Sequence, residues 1–153
     1  MSHLLPSAWR PAWDGLPADP AVFHGPLIAE WLTLAWLVIV TARSLVHIVA
    51  PDGGARSIAS IDIGVAGGAN IVGLFGQWGA IQLLLAAVLW VLLLRYPGLI
   101  PLILGTLLAE PFLRAFAGRV KPIKTQRPAP GARFNWLAVP ILAAALLLAL
   151  CPA

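Results

Sequence analysis

From about residue 26 onward the chain alternates long apolar runs with short stretches of proline, glycine and charge. The first run covers about 26 to 50; Pro26 suits a first helical turn, and Pro51-Asp52-Gly53-Gly54 supplies a stop. The second lies within Ser57 to Arg95, 39 residues that as one helix would measure about 58 Å against a hydrocarbon core of about 30 Å. That excess predicts a span over about 68 to 95. Ahead of it, residues 57 to about 65 are expected to form a bent or interfacial helix, with the bend at Gly64, Gly67 and Gly68. Tyr96-Pro97-Gly98 predicts a tight connection that makes spans two and three antiparallel neighbours. Span three is expected over about 99 to 117, a basic loop over 118 to 133, and span four over about 134 to 150. The fold class predicted is an all-α membrane protein, a four-transmembrane-helix bundle with a bent or interfacial helix before span two.

Residues 1 to 25 read differently. Pro6, Pro11, Pro17 and Pro20 exclude a long helix, and Trp9 and Trp13 suit a headgroup interface, so an extended arm is expected there. This opening stretch lacks the short apolar run of a cleaved signal, so the first run is read as a retained span.

Composition agrees with a bilayer setting. The chain of 153 residues is 60% hydrophobic and 10% charged, where soluble domains carry about 25% charged residues. The net charge of +4 does not point to nucleic acid, because five of the ten basic residues (Arg119, Lys121, Lys124, Arg127, Arg133) sit in one connection between apolar runs. Such clustering sets topology. It predicts a multi-pass membrane protein with the basic loop cytoplasmic and both termini outside. The single cysteine, Cys151, makes no internal disulfide.

Two constellations could carry chemistry. On a helix from Asp62, positions 62, 66, 69, 70, 73, 76, 77 and 80 share one face, and all are small or polar. Asp62, Asn70, Gly73 and Gln77 are therefore expected on an inward seam that either packs spans together or lines a ligand route. The second constellation follows from topology: Arg43 and His47 end span one, and Glu110 and Arg114 end span three, all near the cytoplasmic side with Asp62. Ion pairs such as Arg43 with Glu110 or Asp62 with Arg114 would hold spans together; a headgroup, anion or proton site is the functional counterpart.

No cofactor is expected. His47 lacks a second histidine at its depth, since His24 falls on the opposite side, and the acids and Cys151 have no metal-ligand spacing. Gly64-x-x-Gly67-Gly68 has neither a preceding strand nor a following Lys-Ser/Thr, and G-x-S-x-G is absent, so catalysis is not expected.

Arg56 in the first loop, Asp62-Ile63-Gly64 with Gly67-Gly68 opening the second span, and Arg114 ending the third together resemble the small four-helix bacterial membrane proteins grouped as DoxX-like or left uncharacterised. The resemblance covers about residues 27 to 150 and implies a four-helix bundle with no agreed activity; the N-terminal arm and the long basic loop depart from it. The function expected is a non-enzymatic integral membrane protein: an accessory, assembly or stabilising subunit of a larger membrane complex, or a homo-oligomer. Its partners would be membrane lipids and other integral membrane subunits or copies of itself, with no nucleic acid. The rival classes are a small carrier or lipid- or quinone-binding protein and, after it, a membrane enzyme.

Overall fold

The computed structural model describes Pro17 and residues 19 to 151. Most of the expected N-terminal arm lies outside the described residues. Four helices follow: α1 (Leu27–Val49), α2 (Gly68–Arg95), α3 (Ile100–Val120) and α4 (Pro130–Ala149), with a short 3-10 turn at Pro97–Leu99 between α2 and α3. Each is long and apolar enough to cross a membrane. The protein is a four-span membrane bundle.

Packing follows the heptad-like stripe each helix carries. On α1 the buried positions are Ala29, Thr33, Leu37, Val40, Ser44 and His47, a regular three/four spacing. The α2 stripe runs through Gly68, Gly79, Ala86, Leu89 and Leu93, and α4 contributes Asn135, Ala138, Leu142, Ala145 and Ala149. Small residues dominate these stripes because helices in lipid gain from close backbone approach rather than from escaping water. Two helices approach closely at Gly79, where a Cβ would lie 2.6 Å from His47 Cβ and 2.9 Å from the Ser44 carbonyl oxygen. Outward positions such as Leu74, Ile81, Leu84 and Leu113 are exposed and apolar, as a lipid-facing surface must be.

Buried hydroxyls on α1 are satisfied within their own helix. Thr33 Oγ1 donates to the Ala29 carbonyl at 2.7 Å and Ser44 Oγ to the Val40 carbonyl at 2.8 Å. Thr41 donates to the Leu37 carbonyl at 2.7 Å and also accepts from Trp90 Nε1 at 3.0 Å, a bond that pins α2 to α1. Aromatic pairs seat α4: Trp36 stacks on Phe134 with centroids 5.8 Å apart, and Phe112 meets Trp136 edge-on at 6.1 Å.

The pairing differs from what the tight turn suggests. Although the Pro97 turn holds their ends together, α2 packs chiefly on α1 and α3 chiefly on α4, while α1 touches all three other helices. The molecule is two antiparallel hairpins joined through α1. Boundaries shift as well. Helix α3 continues to Val120 and α4 begins at Pro130, whose fixed φ and missing donor suit a first helical position, so the connection shrinks to residues 121 to 129.

Residues 50 to 67 form a compact run of turns in place of the expected interfacial helix. Gly53 and Gly54 have φ of 57° and 78°, and Ser60 reaches 55°, conformations that interrupt a right-handed helix. The backbone bonds here span five and six residues, from Ala59 N–H to the Gly54 carbonyl (3.0 Å) and from Ile61 N–H to the Ala55 carbonyl (2.9 Å). This folded loop is tied to the basic connection: Gln126 N–H donates to the Ser60 carbonyl at 2.8 Å and Gly131 N–H to the Ile58 carbonyl at 3.2 Å. At the other end, the Pro20 carbonyl accepts from Gly98 N–H at 2.9 Å, which holds the segment before α1 against the α2–α3 turn.

Candidate functional site

Polar groups converge where α1, α2 and α3 meet. Arg43 Nη2 on α1 donates to Glu110 Oε1 on α3 at 2.6 Å, and Gln82 Nε2 on α2 donates to the same oxygen at 2.9 Å. Arg114, one turn beyond Glu110, donates to that oxygen too. Three helices therefore place donors on a single carboxylate atom.

The reason lies in side-chain direction. Helical side chains lean toward the N-terminus, and α1 and α3 run the same way through the bundle. Arg43 and Arg114 therefore lean back from their helix ends toward Glu110 rather than reaching outward to the interface. Each stands six residues before its helix end, about 9 Å along the axis, and Glu110 stands ten before, about 15 Å.

Charge does not balance within this cluster. Two guanidinium groups face one carboxylate, an excess of one positive charge in a setting of low dielectric. Arg114 also lies over the Trp78 ring, 4.8 Å from its centroid, which spreads part of that charge onto the indole face. The side chains remain partly open, with relative exposures of 19% for Arg43, 28% for Glu110 and 32% for Arg114. Arg43 Nε and Gln82 Oε1 are buried without a hydrogen-bond partner. On the α4 side, Arg43, Glu110, Pro111 and the buried Asn135 line a cavity of about 10 Å³, room for one water molecule.

His47 belongs to a different assembly. It is 2% exposed, and its Nδ1 lies 2.7 Å from the Gly53 carbonyl oxygen. A carbonyl only accepts, so Nδ1 carries the proton and the ring anchors the turn after α1. The ring packs on Phe75 and Trp78, with centroids 5.7 Å and 4.8 Å away. Trp78 touches both this ring and Arg114 of the carboxylate cluster. Asp62 also stands apart: its Oδ1 accepts the N–H of Gly64 at 2.9 Å, and it forms no pair with Arg114.

The inward seam expected on α2 is corrected by the structure. Asn70, Gly73 and Gln77 are exposed on the outside of the bundle, as are Ala66, Ala69 and Ala80, while Asp62 is half-buried in the loop. The face turned inward runs through Gly68, Val72, Phe75, Gly79, Gln82 and Ala86 instead. Both faces of α2 carry small residues; Ser44 and His47 on α1 select the one bearing Gly79. Gln82, a lone amide in an apolar run, and Trp78 were not among the expected site residues. Each lies three residues from a member of the inward face, Gln82 from Gly79 and Trp78 from Phe75, and that spacing is the signal that finds them.

Among the described residues no three of His, Cys, Asp or Glu come together as metal ligands. Outside the spans, Asp52 has its carboxyl lowered to about 2, because the Gly54 and Ser57 N–H groups donate to it. Comparison with protein-family models, with curated proteins and with solved structures found no match to this chain.

Proposed function

We propose that this chain is a non-enzymatic subunit of a membrane assembly, joining other integral membrane chains or copies of itself through the outward face of α2. The observation that carries this reading is the exposure of Asn70, Gly73 and Gln77 together with Ala69 and Ala80 on a membrane helix. A second helix can approach a small-residue face closely and supply hydrogen-bond partners to the amides on it. No Cβ neighbour lies within 4 Å of Gly73, so the face accepts a close backbone.

The test is the mass of the protein extracted in mild detergent, for the wild type and for a Gly73→Leu, Ala80→Leu variant. The added side chains enter open space within the single chain, so helix content stays unchanged while the assembled species is lost. A wild type that is monomeric and alone, or a variant that assembles as the wild type does, overturns the proposal.

The proposal includes an orientation in a bacterial inner membrane. The exposed basic residues of the 119 to 133 region face the cytoplasm, and Cys151 at the opposite end faces out. Cys151 is the sole thiol, so the native chain reports its own topology: a membrane-impermeant maleimide labels it in intact cells. Labelling only after permeabilisation reverses the orientation.

A further inference from the structure

The Arg43–Glu110–Arg114 cluster carries one positive charge more than its own members neutralise, and it is not sealed. Its partly exposed members are bridged from α3 to α2 by two contacts, Gln82 to Glu110 at 2.9 Å and Trp78 under Arg114 at 4.8 Å. Uncompensated charge within a bilayer is costly, and the cost falls toward a helix end. Burial against Trp78 offsets only part of such a cost.

Depth places the cluster within reach of the membrane surface. Helix α2 has 28 residues, about 42 Å, and exceeds the hydrocarbon core by about 12 Å. Counting about 20 residues back from Arg95 ends at about Phe75. Trp78 then stands within one turn of the headgroup boundary, the level at which indoles concentrate. Arg114, resting on that indole, presents its guanidinium at the same level. The exposed basic residues Arg119, Lys121 and Lys124 lie just beyond on the same helix and its exit, and they raise the local concentration of anions.

A guanidinium fork suits a tetrahedral oxyanion, and a phosphodiester carries the single negative charge that cancels the excess. We propose that the Arg43–Glu110–Arg114 cluster is a binding site for a phosphate group entering from the basic end of the bundle, with Arg114 as the primary contact. The group is presented either by an anionic phospholipid headgroup or by a free phosphate ester. Glu110 holds both arginines in place and sets the net charge. Binding therefore depends on that net charge in a definite order: absent at zero, present at plus one, stronger at plus two.

The experiment measures ligand binding by native mass spectrometry and by thermal melting of the full chain in neutral detergent. The probes are short-chain phosphatidylglycerol, phosphatidylcholine of equal chain length and glycerol phosphate. The wild type is expected to retain phosphatidylglycerol over phosphatidylcholine by about tenfold or more. Arg114→Gln removes that preference, Glu110→Gln strengthens it, and Arg114→Lys falls between because it keeps charge without the fork. A Lys121→Gln, Lys124→Gln, Arg127→Gln variant keeps the part that depends on Arg114. Competition by glycerol phosphate assigns the site to free esters as well; its failure, with phosphatidylglycerol retained, assigns it to lipid. Equal retention of the two lipids, or an Arg114→Gln protein that still prefers phosphatidylglycerol, overturns the proposal. Should Glu110→Gln not fold, Arg114→Gln and Arg114→Lys against the wild type decide it alone.

Discussion

Arg43 on α1 and Glu110 on α3, 67 positions apart in the chain, meet at 2.6 Å, and Glu110 answers Arg114 with the same oxygen. Because one carboxylate serves two cations, removing members of the cluster has unequal effects. Glu110→Ala leaves two guanidinium groups facing each other, with a loss of about 2 to 3 kcal/mol after discounting for partial exposure. Arg43→Ala or Arg114→Ala leaves a neutral pair and loses about 1 kcal/mol or less. Thermal melting in detergent checks the order; equal losses for the three variants contradict it.

Two glycines of α2, six positions apart, respond oppositely to alanine. At Gly79 the added Cβ meets Ser44 backbone at 2.9 Å, so the hairpin of α1 and α2 must open, at a loss of about 1 to 3 kcal/mol. At Gly73 nothing lies within 4 Å, and alanine adds helix propensity worth up to about 1 kcal/mol in the isolated chain. Comparing the two variants by equilibrium unfolding tests which face of α2 is internal.

The α2–α3 turn depends on one missing side chain. A Cβ on Gly98 would approach the Val22 carbonyl oxygen to 2.6 Å and that of Pro20 to 2.8 Å. Gly98→Ala is expected to release the segment before α1 and to speed its proteolysis, with the four helices intact by circular dichroism. Unchanged cleavage contradicts this.

Asp52 gives the first loop a pH dependence. Its folded pKa of about 2 lies below the ordinary 3.8, so its contribution is present above about pH 4 and fades as pH falls toward 2. The group is largely solvated, and the effect is correspondingly small. Asp52→Asn should melt below the wild type at pH 7 and match it near pH 2. A constant difference over that range excludes the mechanism.

The number of spans and their order were legible from apolar runs and stops, and the meeting of Arg43 with Glu110 follows from counting depth along helices that alternate in direction. Rotation of α2 was not. Its two small faces are equivalent by composition, and the choice depends on Ser44 and His47, which are distant in sequence. The fold of residues 50 to 67 was hidden for a similar reason: Ser60 holds φ 55° while its carbonyl accepts from Gln126 across the chain. His47 looked like a member of the charged cluster because depth alone cannot tell which way a ring turns; the Gly53 carbonyl decides it.

The hydrogen bonds from Gln126 to Ser60 and from Gly131 to Ile58 join the α3–α4 connection and the start of the fourth helix to a loop made some seventy residues earlier. During synthesis that loop leaves the ribosome with two carbonyl groups whose donors, in the α3–α4 connection and the first turn of α4, are made later. Closure of that loop therefore waits on the chain: until residues 126 and 131 have been made, the Ser60 and Ile58 carbonyls lack these donors.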